Sequence, residues 1–447
     1  MAKQRIFGLA TAISMIVGIV IGSGIFFKAD DILLATGGNI ALGLVLLCLG
    51  AAALIFGALS FSEFALRCSG EGGLMSYYEC FVSPRVAAGF GLFQAFVYLP
   101  TLLAVVPWVC IVFMQRLFGS NLNLLEQCLA ALALTTGLWL INLLSRKLGA
   151  FCQRAATVVK LIPIVLISLY GLFYTGKPLG TELLEPGQEL IRIHSVGLAW
   201  LSSLAPIAYA FDGWVLALTI TPEVKEPQKT MPKALVIGPF IVLIAYLFYF
   251  GGLAKMLGPE AIMTLGDASI DQAIAHLISP FFAKVLLIFI IVSILGVCNG
   301  LMIAGIRLPQ VLSKEIGLLP KRIGEKHEKL DLSLPSAFLC YIVTLAWLVV
   351  HYICQSTGIL NGRDITEIAI VFSYLVYSVL YFRLIQLYLK KVVKSFFKGL
   401  ICPIVAILGA LTLLLGGIIS SPFYVSMEIL LCAMTFMFGM LLHDRTA

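Results

Sequence analysis

The sequence predicts an all-α integral membrane protein that crosses the bilayer twelve times. Of its 447 residues, 60% are hydrophobic and 12% are charged, whereas charged residues make up about a quarter of an ordinary soluble domain. Its uncharged runs are long enough to cross the hydrocarbon core, which requires about 20 residues of helix. Lysine and arginine also alternate between rich and poor segments along the chain, as in a protein that crosses a membrane repeatedly.

Twelve apolar stretches of suitable length are bounded by charged residues, glycine or proline. They lie near residues 6–27, 40–64, 86–117, 128–144, 155–174, 195–220, 234–254, 285–306, 332–350, 365–382, 399–421 and 423–442. The first stretch is longer than the apolar region of a signal peptide and has no small-residue cleavage pattern, so it is predicted to be the first span.

The basic residues predict the orientation of these spans. With a cytoplasmic N-terminus, 22 of the 30 lysines and arginines fall in cytoplasmic segments, seven fall on the opposite side, and Lys160 lies inside a span. Because lysine and arginine collect on the cytoplasmic side, this division supports twelve spans, both termini in the cytoplasm, and a location in the cell membrane. The net charge of +7 therefore reflects topology and not nucleic-acid binding.

Other classes of function have little support in the sequence. The eleven cysteines lie mostly inside or beside spans and form no CxxC pair, which is typical of small apolar residues and not of a disulfide framework or zinc site. The five histidines are scattered, without an HExxH-like spacing. We therefore expect neither an enzyme nor a metal or cofactor site. No repeated filter loop or ring of charges indicates a channel.

The first span contains a candidate break in mid-membrane, where Gly22 and Gly24 flank Ser23. Each glycine costs roughly 1 kcal/mol relative to alanine in a helix interior. An unwound turn at this depth is tolerated only if its backbone faces protein or a water-filled cavity, and its amides could then bind a carboxylate. The alternative is that the two glycines only allow another helix to approach closely.

The sixth span contains a second candidate break, between Pro206 and Trp214, where Asp212 precedes Gly213. A carboxylate at the bilayer centre costs about 2.5 to 3.5 kcal/mol on insertion scales, so Asp212 should face the protein interior. Alternatively, Asp212 lies at a shallower depth and caps a half-helix. Spans one and six occupy corresponding positions in two five-span halves, which is the layout of an inverted-repeat transporter with a site at the midplane.

Together these motifs resemble the amino acid–polyamine–organocation (APC) superfamily, and within it the L-type amino acid transporters and their bacterial exchanger relatives. The motifs are Lys160 and residues 22–26 (GSGIF), 63–65 (EFA), 69–73 (SGEGG), 211–214 (FDGW), 222–227 (PEVKEP) and 298–300 (CNG). The resemblance covers spans one to eight and weakens afterwards. It implies inverted five-helix repeats at 1–176 and 193–383, discontinuous helices 1 and 6, and two peripheral helices at 398–443.

The resemblance also implies a pose for an amino acid substrate. Backbone amides would bind its carboxylate, at Ser23, Gly24 and Ile25. Carbonyl groups would bind its ammonium group, near Val20, Tyr209 and Phe211. The far wall would contact its side chain, through Tyr209, Trp214 and Asn299. Ordinary helix packing is the alternative role for Tyr209 and Trp214, and whether Asp212, next to Gly213, contacts substrate or braces the unwound turn stays open.

Lys160 is a lone lysine inside the apolar fifth span, so it must be paired, snorkelling or functional. In the resemblance its position matches a lysine that replaces the sodium ion of sodium-coupled relatives. We hypothesise that Lys160 holds the first half-helix in a substrate-competent shape, so that no sodium is required. Snorkelling and proton exchange at Lys160 are the alternatives.

The leading functional hypothesis is an exchanger of small neutral L-amino acids such as alanine, serine or cysteine. A proton-coupled carrier, or a carrier of cationic amino acids or polyamines, is the alternative, because Asp212 could pair with a second ammonium group. Eukaryotic L-type transporters join a glycoprotein through a cysteine in the loop after the third span. Residues 119–124 of this chain contain no cysteine, so no covalent glycoprotein subunit is expected.

Overall fold

The computed structural model describes residues 7–22, 24–68, 70, 72–144, 146–183, 189–204, 207, 210–266, 269–327, 330, 332–360, 365–420 and 422–446. These residues form helices and loops, with two isolated β-bridges. The first part of the chain contains α1 (Leu9–Val20), α2 (Gly24–Phe27), α3 (Ala29–Ala35), α4 (Ile40–Arg67), α5 (Leu74–Phe81), α6 (Pro84–Phe93), α7 (Leu99–Phe118), α8 (Leu124–Leu144) and α9 (Arg146–Phe173). The second part contains α10 (Pro227–Leu257), α11 (Pro259–Leu265), α12 (Ser269–Leu277), α13 (Pro280–Lys314), α14 (Lys321–Gly324), α15 (Leu334–Thr357), α16 (Glu367–Leu389), α17 (Cys402–Ser420) and α18 (Pro422–Thr446).

Shorter helical turns connect these elements. The 3₁₀ helices are Leu179–Glu182, Ala199–Ser203 and Trp214–Glu223, and the π-helical segments are Gln94–Tyr98, between α6 and α7, and Phe397–Ile401, before α17.

Ten helical segments of the described chain are long and apolar enough to cross a membrane. They are Ile40–Arg67, Pro84–Phe118, Leu124–Leu144, Phe151–Phe173, Pro227–Leu257, Pro280–Lys314, Leu334–Thr357, Ala369–Leu389, Phe397–Leu415 and Val425–Arg445. Each overlaps one of the predicted spans, which confirms a multi-pass helical membrane protein. The total of twelve crossings and the division into inverted repeats stay predictions.

The first and sixth predicted spans are interrupted where the sequence predicts breaks. Helix α1 has 12 residues and ends at Val20, after which Ile21 adopts an extended conformation and α2 begins at Gly24. In the sixth span, the helical pattern stops at Phe211, and a 3₁₀ helix of 10 residues begins after Gly213. The break residues Ser23, Pro206 and Tyr209 lie outside the described part of the chain.

The two interrupted spans are joined at one end by backbone hydrogen bonds. The amide of Phe7, before α1, donates to the carbonyl of Glu223 at 2.9 Å, and the amide of Lys225 donates back to the carbonyl of Phe7 at 2.8 Å. The Glu223 carboxylate also forms an ion pair of 2.9 Å with Arg307 on α13. These contacts connect the start of α1, the end of the 3₁₀ helix and α13.

The burial of the helices separates a central group from a peripheral group. The most apolar part of the segment Pro84–Phe118 is 78% buried inside the protein, whereas that of Val425–Arg445 is 17% buried. The exposed faces of the peripheral helices carry large apolar side chains such as Leu430, Met437 and Phe438. Such faces suit contact with lipid, because a soluble surface rarely presents apolar patches of this extent.

Candidate functional site

A small cavity lies between the two interruptions. Its described lining comes from both breaks and from the helices around them: Ile19, Val20, Gly22, Leu102, Val106, Ala210, Asp212, Gly213, Val297, Leu301 and Ile370. The cavity has a volume of about 40 Å³, and a single water molecule needs about 10 to 15 Å³ measured in this way. This space suits a small solute, and Asp212 is the charged residue among its described lining.

Gly213 allows the two breaks to lie close together. Its φ angle of 90° is in the left-handed region, where side chains with a Cβ atom are strained. A Cβ atom at this position would lie 2.5 Å from Cγ2 of Ile19 on α1. Glycine is therefore required here by both the backbone conformation and the available space.

The Lys160 side chain binds the end of α1. Its ammonium group donates hydrogen bonds to the carbonyl oxygens of Gly18, at 2.8 Å, and Ile21. The last carbonyl groups of a helix have no partner within the helix, and a cation near them is favourable because the helix dipole makes this end negative. The Lys160 side chain is completely buried, so its ammonium group does not snorkel to the membrane surface.

Two further side chains contact the backbone of the first span. The Thr157 hydroxyl, one turn before Lys160 on α9, lies 2.8 Å from the carbonyl oxygen of Gln153 in its own helix and 3.2 Å from that of Ser14 in the middle of α1, and it has one proton to donate. On α13, the Ser293 hydroxyl donates to the carbonyl oxygen of Gly22, beyond the end of α1, at 3.4 Å. The first span thus contacts α9 and α13 through backbone carbonyl groups.

Tyr246 on α10 connects the two interrupted spans. Its hydroxyl group lies 2.8 Å from the carbonyl oxygen of Ala210 and 3.1 Å from that of Val20. A hydroxyl group has one proton, so it can fully satisfy one of these carbonyls at a time. The sequence analysis missed Tyr246, and the available signal was weak: a buried tyrosine in the middle of a span needs a partner for its hydroxyl group.

The Asp212 carboxylate is bound by a second tyrosine that the sequence analysis missed. The Tyr98 hydroxyl donates to Oδ2 of Asp212 at 2.5 Å, and both side chains are buried. Tyr98 is the last residue of the π-helical segment Gln94–Tyr98, and segments of this kind often occur at functional sites. Asp212 therefore faces the protein interior, as expected, and it has a neutral hydrogen-bond donor.

Some of the other predicted substrate contacts line the cavity, and others lie outside its described lining. Val20, Asp212 and Gly213 line the cavity. Phe211 packs against Tyr246, with 5.0 Å between the ring centroids and the rings tilted by 48°. Ile25 is a buried residue of α2, and Gly24 begins that helix. Ser23 and Tyr209 lie outside the described residues.

Trp214 and Asn299 do not belong to the described cavity lining. The Trp214 ring is buried against Phe61, with 5.4 Å between the centroids. The Asn299 amide accepts a hydrogen bond from Asn142, at 2.9 Å, and donates to the Gly149 carbonyl, at 2.9 Å, and to the Gln153 side chain, at 3.1 Å. Asn299 thus connects α13 to α8 and α9, and its contact with a substrate side chain stays a prediction.

Metal binding has no support in the described part of the chain. No group of three or more His, Cys, Asp or Glu side chains lies there in positions that could hold a metal ion. The polar groups in and around the site are instead one carboxylate, one ammonium group, tyrosine hydroxyl groups and backbone carbonyl groups of the interrupted spans, all of which form hydrogen bonds.

The chain is similar in sequence to amino acid transporters from bacteria, mammals and yeast. The serine/threonine exchanger SteT of Bacillus subtilis is 29% identical over 377 residues, which cover 84% of this chain and 81% of SteT. The human b(0,+)-type amino acid transporter 1 is 26% identical over 466 residues, which cover 98% of this chain and 87% of the relative. A low-affinity methionine permease of Saccharomyces cerevisiae is 28% identical over 374 residues, covering 78% and 64%.

These relatives are membrane transporters, which confirms that the chain is not an enzyme. A family model described as "Amino acid permease" matches residues 7–434. The chain belongs to this family, which confirms the resemblance to the APC superfamily.

Replacement of Tyr246 by phenylalanine should destabilise the protein. The variant leaves the carbonyl groups of Val20 and Ala210 without the hydroxyl group that they share, and an unsatisfied buried polar group costs about 1 to 3 kcal/mol. We expect a melting temperature lower by several degrees for the detergent-purified protein, followed by tryptophan fluorescence. Tyr381→Phe is the matched control, because the Tyr381 hydroxyl is buried without a hydrogen-bond partner among the described residues. Equal melting temperatures for the two variants would contradict a structural role for the Tyr246 hydroxyl.

Proposed function

We propose that this protein exchanges small neutral L-amino acids, of the alanine, serine or cysteine type, across a cell membrane without sodium. The observation that carries the proposal is the small cavity between the two interrupted spans. Backbone ends of both spans meet at this cavity, and a lysine holds the end of one of them. A zwitterion with a short side chain matches the size and the polarity of this site.

In the proposed pose, the substrate carboxylate binds the amides of Ser23, Gly24 and Ile25. The substrate ammonium group binds the carbonyl groups near Val20 and Ala210, whose present partner is the Tyr246 hydroxyl. Because that hydroxyl can donate only one hydrogen bond, an ammonium group with three donors supplements it. The ammonium group thereby joins the two interrupted spans.

A small and uncharged substrate side chain fits the remaining wall. Helices α7, α13 and α16 contribute Leu102, Val106, Val297, Leu301 and Ile370 to the cavity. These residues offer van der Waals contact and no hydrogen bond from their side chains, which favours short aliphatic groups. The relative named as a serine/threonine exchanger supports both the small substrate and the exchange.

Lys160 supports transport without sodium. Its ammonium group binds carbonyl oxygens of Gly18 and Ile21, which are ligands of the kind that a sodium ion would use. The Lys160 side chain on α9 thus keeps the break in α1 in shape without an ion from solution. Proton coupling at Lys160 remains the alternative mechanism.

The finer architecture belongs to the same proposal. Twelve crossings would comprise two inverted repeats of five helices, at 1–176 and 193–383, followed by two helices at 398–443. The interrupted spans would rock against the remaining helices and expose the cavity to each side in turn. Both termini would lie in the cytoplasm, and the protein would work without a covalent glycoprotein subunit.

A carrier of cationic amino acids or polyamines is the second candidate function. It is favoured by one observation, the carboxylate of Asp212 in the cavity lining, which could bind a second ammonium group or a guanidinium group. The hydrogen bond from Tyr98 weighs against it, since the carboxylate already has a partner.

Exchange can be tested with purified protein in proteoliposomes. We expect uptake of labelled alanine or serine in sodium-free buffer when unlabelled alanine is trapped inside, and little uptake into vesicles that contain buffer or trapped arginine. Added sodium should not change the rate. Uptake that required a sodium or proton gradient, or that occurred only with cationic substrates, would contradict the proposal.

Lys160→Ala should reduce sodium-free uptake of alanine by at least about tenfold. The variant removes a charged donor from two buried carbonyl groups, and hydrogen bonds to charged groups contribute about 1.5 to 3 kcal/mol, while 1.4 kcal/mol corresponds to a tenfold change. Lys255→Ala is the matched control, because the exposed Lys255 also donates to a backbone carbonyl, that of Leu172, outside the site. Size-exclusion chromatography of both variants checks folding. Normal uptake by a well-folded Lys160→Ala protein would show that the hypothesis for Lys160 is wrong.

A further inference from the structure

We propose that Tyr98 determines the charge selectivity of the site by occupying the Asp212 carboxylate and so excluding substrates with a second positive charge. This inference rests on the proposed function, because it names the substrate class that the same cavity rejects. It assigns a role to a residue of the π-helical segment between α6 and α7 that no motif in the sequence indicated.

The position of Asp212 makes it the natural partner of a cationic side chain. It lies in the lining of the cavity, among residues that are otherwise apolar or glycine in the described part of the site. A carboxylate in such surroundings has lost most of its water, and a buried charge is costly unless it is paired and hydrogen-bonded. Left alone, it would attract an ammonium or guanidinium group strongly.

Tyr98 supplies a side-chain partner from within the protein, in addition to the backbone amide of Gly213. Its hydroxyl donates to Oδ2 of Asp212 at 2.5 Å, a short distance typical of hydrogen bonds between a hydroxyl group and a carboxylate. The hydrogen bond stabilises the carboxylate without adding a positive charge. A lysine or arginine substrate must therefore share or displace this bond, while its own second charge also loses water on entering an apolar cavity.

The Tyr98 side chain has little freedom to move away. It is fully buried, and its ring packs against Phe93, with 6.3 Å between the centroids. Its backbone belongs to the π-helical segment, from which the carbonyl group of Phe96 is bound by the indole of Trp347 at 2.7 Å. The hydroxyl group is thus held at the carboxylate by packing on several sides. Its displacement by a cationic substrate would cost free energy, because the packed ring would have to move.

A neutral substrate meets no such obstacle. The proposed pose binds its carboxylate and ammonium groups at the backbone ends of the interrupted spans, and its short side chain needs no partner at Asp212. The Tyr98–Asp212 pair therefore discriminates against a second positive charge. The carboxylate and ammonium groups that all amino acids share bind to the backbone of the interrupted spans.

Tyr98→Phe tests this role because it removes the hydroxyl group and keeps the ring. We measure how well unlabelled lysine, arginine and serine each inhibit the uptake of labelled alanine into proteoliposomes. The variant should bind the two cationic amino acids at least about tenfold better relative to serine than the wild type does, since their charged donors replace the lost hydrogen bond. Labelled lysine should also become a substrate.

Two further variants make the result specific. In the double variant Tyr98→Phe with Asp212→Asn, the gain for lysine and arginine should disappear, because the carboxylate that attracts them is absent. Tyr78→Phe is the matched control, because it removes another buried tyrosine hydroxyl, which donates to the Val376 carbonyl at 2.8 Å outside the cavity. It should leave the ratio of cationic to neutral inhibition unchanged.

The outcomes separate this inference from the proposed function. If the wild type takes up alanine and serine but Tyr98→Phe shows the wild-type ratio, the role of Tyr98 is overturned and the proposed function stands. If the gain persists in the double variant, Asp212 is not the group that Tyr98 occupies, and the inference fails. If the wild type itself prefers lysine or arginine, both the inference and the neutral specificity fail. If Tyr98→Phe does not fold, Tyr98→Leu, which keeps an apolar side chain and has no hydrogen-bond donor, takes its place with the same criteria.

Discussion

The hydrogen bonds from Lys160 to the end of α1 are the interaction on which the site depends. A helix that stops within a membrane leaves carbonyl groups without partners, and no bulk water is available to satisfy them. The buried ammonium group of Lys160 binds two of them, at Gly18 and Ile21. This allows α1 to end at Val20 in the middle of the protein, and the cavity exists because α1 ends there.

The same constraint explains the polar groups around the cavity. The second interruption presents the Ala210 carbonyl, and Tyr246 binds it together with the Val20 carbonyl. The Asp212 carboxylate receives the hydroxyl group of Tyr98. The carbonyl groups and the carboxylate named here thus have internal partners, which come from the continuous helices α9 and α10 and from the π-helical segment before α7. A substrate that replaces or supplements such partners gains binding energy without leaving an unsatisfied group behind.

The continuous helices are themselves connected by polar contacts away from the cavity. The amide groups of Asn142, Gln153 and Asn299 bind one another between α8, α9 and α13, which suits a rigid support for the interrupted spans. On the other side of the second break, Trp214 packs into a group of aromatic rings with Phe61 and Tyr377. The interrupted spans therefore contact an amide network on one side and an aromatic cluster on the other.

Sequence reasoning predicted the features that depend on composition and missed those that depend on the rotation of a helix. Long apolar runs, the glycines at 22 and 24, the acid at 212 and the lone lysine at 160 are unusual within a membrane, so each gave a direct signal. Tyr98 and Tyr246 gave at most a weak signal, because tyrosines are common in spans and the direction of a side chain follows from packing. Trp214 and Asn299 lie outside the described cavity lining, since a motif gives the position along a span and not the side that faces the cavity. Their contact with a substrate stays a prediction. The 3₁₀ helix that begins at Trp214 has 3.0 residues per turn instead of 3.6, so it turns its side chains away from the directions of a regular α-helix.

The most direct test of the central claim is the affinity of the purified protein for alanine, measured by isothermal titration calorimetry with and without sodium at equal ionic strength. Because Lys160 already provides the cation at the end of α1, the dissociation constant should be the same in sodium and in choline buffer. Binding that appeared only with sodium, or tightened steeply as sodium was added, would contradict the account in which a lysine holds the break open for substrate.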